Sequence, residues 1–152
     1  MSTSSHNKPS KISKSWQGKT VWITGASSGI GHSLALKLAE MGATVIASAR
    51  SKDKLDALAK LSPQYILALP MDVTNASEIS DVQMQLSNRV ESIDVAIFAA
   101  GIVEYENNLA FDAEVYKKVF DVHFFGLVNS VAIALPLLKK STFKPYIVGH
   151  HT

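Results

Sequence analysis

The segment with the clearest chemical capability is Thr24-Gly25-Ala26-Ser27-Ser28-Gly29-Ile30-Gly31. It follows a short β-rich run, Thr20 to Thr24, and precedes an apolar pattern of helical spacing. A glycine turn between a strand and a helix is suited to holding phosphate, because the first amides of the helix point at the anion along a favourable dipole. Gly25 permits the tight turn, Gly29 lets backbone approach a pyrophosphate, and Gly31 lets the helix pack near the sheet. Ser27, Ser28 and the amide of Ile30 complete the set of donors. A Gly/Ser-rich turn without a ligand is the plainer reading. The position of the run at the start of a βαβ unit favours the dinucleotide.

A second group stands at the end of the next strand, Ser48-Ala49-Arg50. An NAD site in such a fold wants a carboxylate there for the ribose 2′-hydroxyl. None is present, and Arg50 can clamp a 2′-phosphate through charge-assisted bonds. NADP is therefore expected over NAD, with a solvated surface charge as the alternative reading of Arg50. His150 and His151 are adjacent, so on an extended chain they face opposite ways, and no metal is expected. The chain has no cysteine, which excludes disulfides and thiolate chemistry.

Alternating strand and helix patterns position these groups. Strands are expected at Thr20 to Thr24, Thr44 to Ser48, Tyr65 to Leu69, Asp94 to Ala99 and Pro145 to Gly149. Ile30, Leu34, Leu38 and Met41 set a helix that Gly42 ends. Ser51 can cap a second helix from Lys52 to about Leu61, stopped by Pro63. Asn75 with Glu78 resembles a capping box for a third, running to about Val90. A polar loop, Glu104 to Asn108, leads into a long helix from about Asp112 to Lys140, expected to bend at Pro136. The pattern predicts an α/β fold, a Rossmann-type doubly wound parallel sheet of five strands in the order 3-2-1-4-5.

The run TGASSGIG resembles the signature of the short-chain dehydrogenases/reductases, whose glycines follow a G-x3-G-x-G spacing. The resemblance extends over residues 19 to 152. It takes in Ala49-Arg50 with Asp53-Lys54-Leu55, then Met71-Asp72-Val73-Thr74, and Val119 to Pro136 as the family's long fourth helix. It implies that Asp72 hydrogen-bonds the adenine amino group, that Val73 flanks the ring, and that Ala100 and Gly101 admit the cofactor ribose. An Asn-Asn pair precedes those two residues in the family; Phe98-Ala99 here replaces a polar bridge between strands by apolar packing. His123 stands where the family has an asparagine of a proton relay, and a structural role is its alternative. Thr152 falls near the position of a substrate-orienting serine.

The implied reaction is hydride transfer between NADPH and a carbonyl or alcohol, with a tyrosine as acid or base and a lysine four residues later lowering its pKa. Tyr65, Tyr105, Tyr116 and Tyr146 are followed at that spacing by Leu69, Leu109, Phe120 and His150, so no such pair exists. In the family the pair lies beyond the fifth strand, where this sequence stops. The expected chain is a Rossmann domain over residues 19 to 152 that lacks its C-terminal strands and catalytic pair and is inactive alone. The alternative is a non-catalytic nucleotide-binding or partner-binding module.

Composition bounds the partners. Fifteen basic and thirteen acidic residues leave a net charge of +2, too little to argue for nucleic acid. Residues 1 to 18 read as a disordered basic leader carrying Lys8, Lys11 and Lys14, without the apolar stretch of a signal peptide. The longest apolar run, Val95 to Val103, is far below the roughly 20 residues of a membrane span. A cytoplasmic protein is expected, with no membrane partner and with the sequon Asn75-Ala76-Ser77 unglycosylated. The long helix is apolar around most of its circumference, so a homo-oligomer through it is a natural way to cover that surface.

Overall fold

The computed structural model describes residues 15–102 and 111–150. Five parallel strands form one sheet in the order β3-β2-β1-β4-β5. They are β1 (Thr20–Thr24), β2 (Thr44–Ser48), β3 (Ile66–Ala68), β4 (Val95–Phe98) and β5 (Tyr146–Gly149). The helices are α1 (Gly29–Glu40), α2 (Lys52–Leu61), α3 (Ile79–Arg89) and α4 (Ala113–Leu138). This is the doubly wound order expected from the alternating pattern.

Successive side chains of a strand face opposite sides, so each strand feeds two cores. Val21, Ile23, Val45, Ala47, Val95 and Ile97 pack with Leu38 of α1 and Leu55 and Leu58 of α2. Trp22, Ile46, Ala96 and Phe98 pack on the other face with Leu86 of α3 and Ile133 and Leu137 of α4. Trp22 is fully buried, donates its indole N–H to Ser48 Oγ at 2.9 Å, and meets the Phe98 ring edge-on at 5.9 Å. The Trp22–Phe98 contact is apolar packing between neighbouring strands, as the replacement of the family's polar pair implies. At the opposite end of the sheet, buried Asp94 accepts from the Thr20 amide and from Ser141 Oγ.

The helix ends explain themselves locally. Gly42 adopts φ +86°, and the amides of Gly42 and Ala43 return to the carbonyls of Ala39 and Leu38, which closes α1. Asn75 accepts from the Ser77 amide and donates to Glu78, but what it starts is a 3-10 turn, Ala76–Glu78, from which α3 continues. Ser51 sits at the cap of α2 without a side-chain cap bond.

Two features differ from the sequence reading. Residues 15–18 belong to the domain and not to the leader: Trp16 packs on the first core and the Gly18 amide donates to Gly42 O at 3.1 Å. The remaining fourteen residues of the leader, the Glu104 to Asn108 loop, Tyr105, His151 and Thr152 lie outside the described residues. The long helix has its irregular segment at Asp121–Phe125, one π-type turn, ahead of Pro136. Proline at 136 removes a donor to the carbonyl of Ala132, and the side chain of Gln83 reaches that carbonyl instead at 3.5 Å.

By length and composition α4 is the one helix among the described residues able to cross a membrane. In the fold its second half is a core element, with Ser130, Ile133, Ala134, Leu137 and Leu138 buried. Its other face leaves Phe120, Phe124, Phe125, Val128 and Leu135 exposed.

Candidate functional site

The strand ends Ser48, Thr24, Phe98 and Gly149 stand in one register row across β2, β1, β4 and β5. The loops that leave this row form a cleft of about 820 Å³. A crevice at the carboxyl ends of parallel strands, beside the strand where the order reverses, is where such sheets bind ligands.

The glycine loop forms one wall. Gly25 has φ +74°, and a Cβ there would lie 2.5 Å from the backbone of Ala99 and Ala100. A Cβ on Gly31 would lie 2.3 Å from Gly25 O, so the helix start rests directly on the turn. Gly29 has φ +57° and open space where a side chain would project. Ser28 is the N-cap of α1 but makes no side-chain cap bond, and it lines the cleft together with Gly29, Ile30 and Gly31 of the first helical turn. The loop is held from behind by the Ala26 amide on Ser48 O at 3.0 Å.

The remaining expected residues line the same cleft: Arg50, Asp72, Val73, Ala100 and Gly101 with Gly25, Ser27, Ser28, Gly29, Ile30 and Gly31. Asp72 is half-buried, and its Oδ1 accepts from the Thr74 amide at 2.9 Å and the Thr74 hydroxyl at 2.7 Å. This fixes the carboxylate at the end of the third strand's loop. Val73 is buried against α4, where a Cβ on Gly126 would come within 2.7 Å of it. Asn129 of α4 donates to Val73 O at 2.8 Å and ties that loop down.

Residues outside the sequence-derived set also line the cleft, among them Ser51, Lys54, Val122 and His150. Lys54 stands in the first turn of α2, directly after the Arg50 strand end, and that place was the signal that could have found it. His150 follows β5, in the stretch that the resemblance aligns with the substrate-orienting serine, and its neighbour His151 lies outside the described residues. His123 does not line this cleft. Its Nε2 lies 2.9 Å from Ile102 O, and its ring sits under Gly101, where a Cβ would approach to 2.9 Å. It shapes the Gly101–Ile102 backbone from below.

Strand order, cleft and glycine turn together define a dinucleotide-type Rossmann domain. A family model described as short chain dehydrogenase matches residues 19–147, and the chain belongs to that family of NAD(P)-using oxidoreductases. Estradiol 17-beta-dehydrogenase 2 of Rattus norvegicus is 35% identical over 130 residues, 81% of this chain and 34% of the relative. A short-chain type dehydrogenase/reductase from Mycobacterium marinum superposes with TM-score 0.79 at 29% identity, over 88% of this chain and 56% of that one. The RhlG/NADP active-site complex of Pseudomonas aeruginosa gives 0.81 at 22% identity, over 88% and 54%, a likeness of fold. The chain spans about a third to a half of the length of the curated relatives it matches.

Proposed function

We propose that the cleft binds NADP(H), with the pyrophosphate on the amides between Gly25 and Gly31. The observation that carries the reading is the open space over Gly29 beside an uncapped helix start. A close-packed loop would leave no room for an anion at that point. The Ser27 and Ser28 hydroxyls supplement the backbone donors. Arg50, Ser51 and Lys54 stand together on the cleft wall and give a 2′-phosphate two cations and a hydroxyl, with no carboxylate among them. Asp72, oriented by Thr74, keeps its second oxygen for an adenine amino group, and Val73 covers the ring. Ala100 and Gly101 present a side-chain-poor floor to the ribose. His123 acts by holding that floor.

The bound nicotinamide would supply a hydride donor or acceptor for a carbonyl or alcohol. The proton side of that reaction needs a tyrosine with a lysine four residues on, which none of the four tyrosines has. The purified 152-residue chain is therefore expected to bind NADPH and to reduce no aldehyde or ketone by itself. A second reading, a non-catalytic nucleotide-binding module, draws on the same observation. The chain resides in the cytoplasm on this reading, and the exposed aromatic face of α4 pairs with a second copy.

Titrating NADPH while following Trp22 fluorescence tests the proposal, in a Trp16→Phe background that leaves one reporter. Trp22 lies two residues before the loop, so saturable quenching is expected, stronger for NADPH than for NADH. A flat titration would remove the reading. Turnover of a carbonyl panel would instead overturn the expected inactivity.

A further inference from the structure

We propose that the fold contains a binding site for one internal water molecule beneath the floor of the cleft, joining Thr24 Oγ1 of β1 to His150 Nε2 beyond β5. The two atoms are buried, and neither has a hydrogen-bond partner among the described residues. Thr24 is 1% exposed, so its hydroxyl has no access to bulk solvent. A buried, unpaired hydroxyl or imidazole nitrogen costs about 1–3 kcal/mol, so two such atoms facing one small space call for a shared partner.

Both residues line the same small cavity, with a volume of about 10 Å³. That is at the lower limit for one water and too little for any larger ligand. A third polar group lines it: Ser130 of α4, 1% exposed, whose hydroxyl donates to Gly126 O at 2.7 Å and keeps its lone pairs as acceptors. Three partners match the usual number for an internal water. The molecule accepts from the Thr24 hydroxyl and donates to Ser130 Oγ. Because water both donates and accepts, it serves His150 Nε2 in either imidazole tautomer. The rest of the wall includes Phe98 and Leu127 together with the ring of His123, whose Nε2 is already engaged with Ile102 O at 2.9 Å, and the volume admits one small polar molecule.

The placement gives the site a positioning role. Thr24 immediately precedes Gly25, His150 is anchored by its amide on Phe98 O at 3.0 Å, and Ser130 belongs to the helix that carries His123. The water therefore links the glycine turn, the end of β5 and α4 at one point. It does so where Phe98 and Ala99 offer no side-chain hydrogen bond. The inference stands whether or not the cleft binds a dinucleotide.

A crystal structure of the 152-residue chain, at a resolution that shows ordered solvent, tests it. One spherical density peak is expected roughly 2.7–3.2 Å from both Thr24 Oγ1 and His150 Nε2. No peak, or a direct bond between the two side chains, overturns it. In solution, Thr24→Val and His150→Leu should each lower the melting temperature by roughly 4–8 °C. The double variant should lose little more than either one, because both remove the same bridge; additive losses overturn the proposal. Should those variants not fold, Thr24→Ser keeps the hydroxyl, and the density peak must persist in it.

Discussion

β1 and β5 are both short, parallel and apolar, yet their surroundings are opposite. Val21, Trp22 and Ile23 are fully buried, whereas Tyr146, Ile147 and Val148 are 47–57% exposed. β1 has strands on both sides and helices over both faces. β5 pairs only with β4 and is the sheet edge among the described residues. The half of the cleft on the β1 side, with the glycine turn, Arg50 and Asp72, accordingly rests on a buried core. The half on the β5 side, with Gly101, Ile102 and His150, is built against an edge that carries uncovered apolar surface. The difference teaches how unequally the two walls are supported: the glycine-turn side stands on a strand buried on both faces, and the β5 side stands on an exposed strand.

The contrast can be broken hardest at the buried side. Gly25→Ala places a Cβ 2.5 Å from the Ala99–Ala100 backbone at positive φ. It should cost about 2–4 kcal/mol and abolish NADPH binding, read by thermal melting and fluorescence titration. Next in size is Arg50→Asp, which replaces a cation by a repelling carboxylate. NADPH affinity should fall roughly 10- to 100-fold while NADH affinity changes little, because only the former carries the 2′-phosphate. Equal losses for both would place Arg50 outside the phosphate subsite.

The exposed side sharpens the comparison from the other direction. Ile147→Lys puts a charge on the exposed edge strand. It should reduce self-association in sedimentation velocity while changing the melting temperature by little, since the side chain leaves no core. A large drop in melting temperature would mean that β5 is better covered than β1's contrast implies. The smallest effect is electrostatic. Asp121 raises the Lys117 pKa above the usual lysine value through a hydrogen bond and charge, in an exposed pair. A raised cation pKa contributes stability below the unfolded value of 10.5 that is lost as pH rises through the folded one. Lys117→Ala should therefore leave the melting temperature nearly unchanged from pH 6 to 9, with any small loss constant across that window.

Much of this was legible in the sequence because the signals were local. Period-two and continuous apolar runs gave the five strands, and the glycines at 25, 29 and 31 gave the turn, since each performs a backbone task that no other residue does well. The family's implied positions Asp72, Val73, Ala100 and Gly101 fell on one cleft because the strand order places their loops side by side. What stayed hidden depends on tertiary packing. Trp16 docks on a core its own segment does not build. The π-type turn at Asp121–Phe125 leaves no compositional mark. The orphaned atoms of Thr24 and His150 lie 126 positions apart and meet only across three strands.

The most direct measurement of the central claim is the amide spectrum of the ¹⁵N-labelled chain during NADPH addition. Phosphates held by the helix start should shift the amides of Ser27, Ser28, Gly29, Ile30 and Gly31 first and most, with Arg50 and Asp72 following and β5 little affected. Saturable binding that leaves those five amides unmoved would contradict the account.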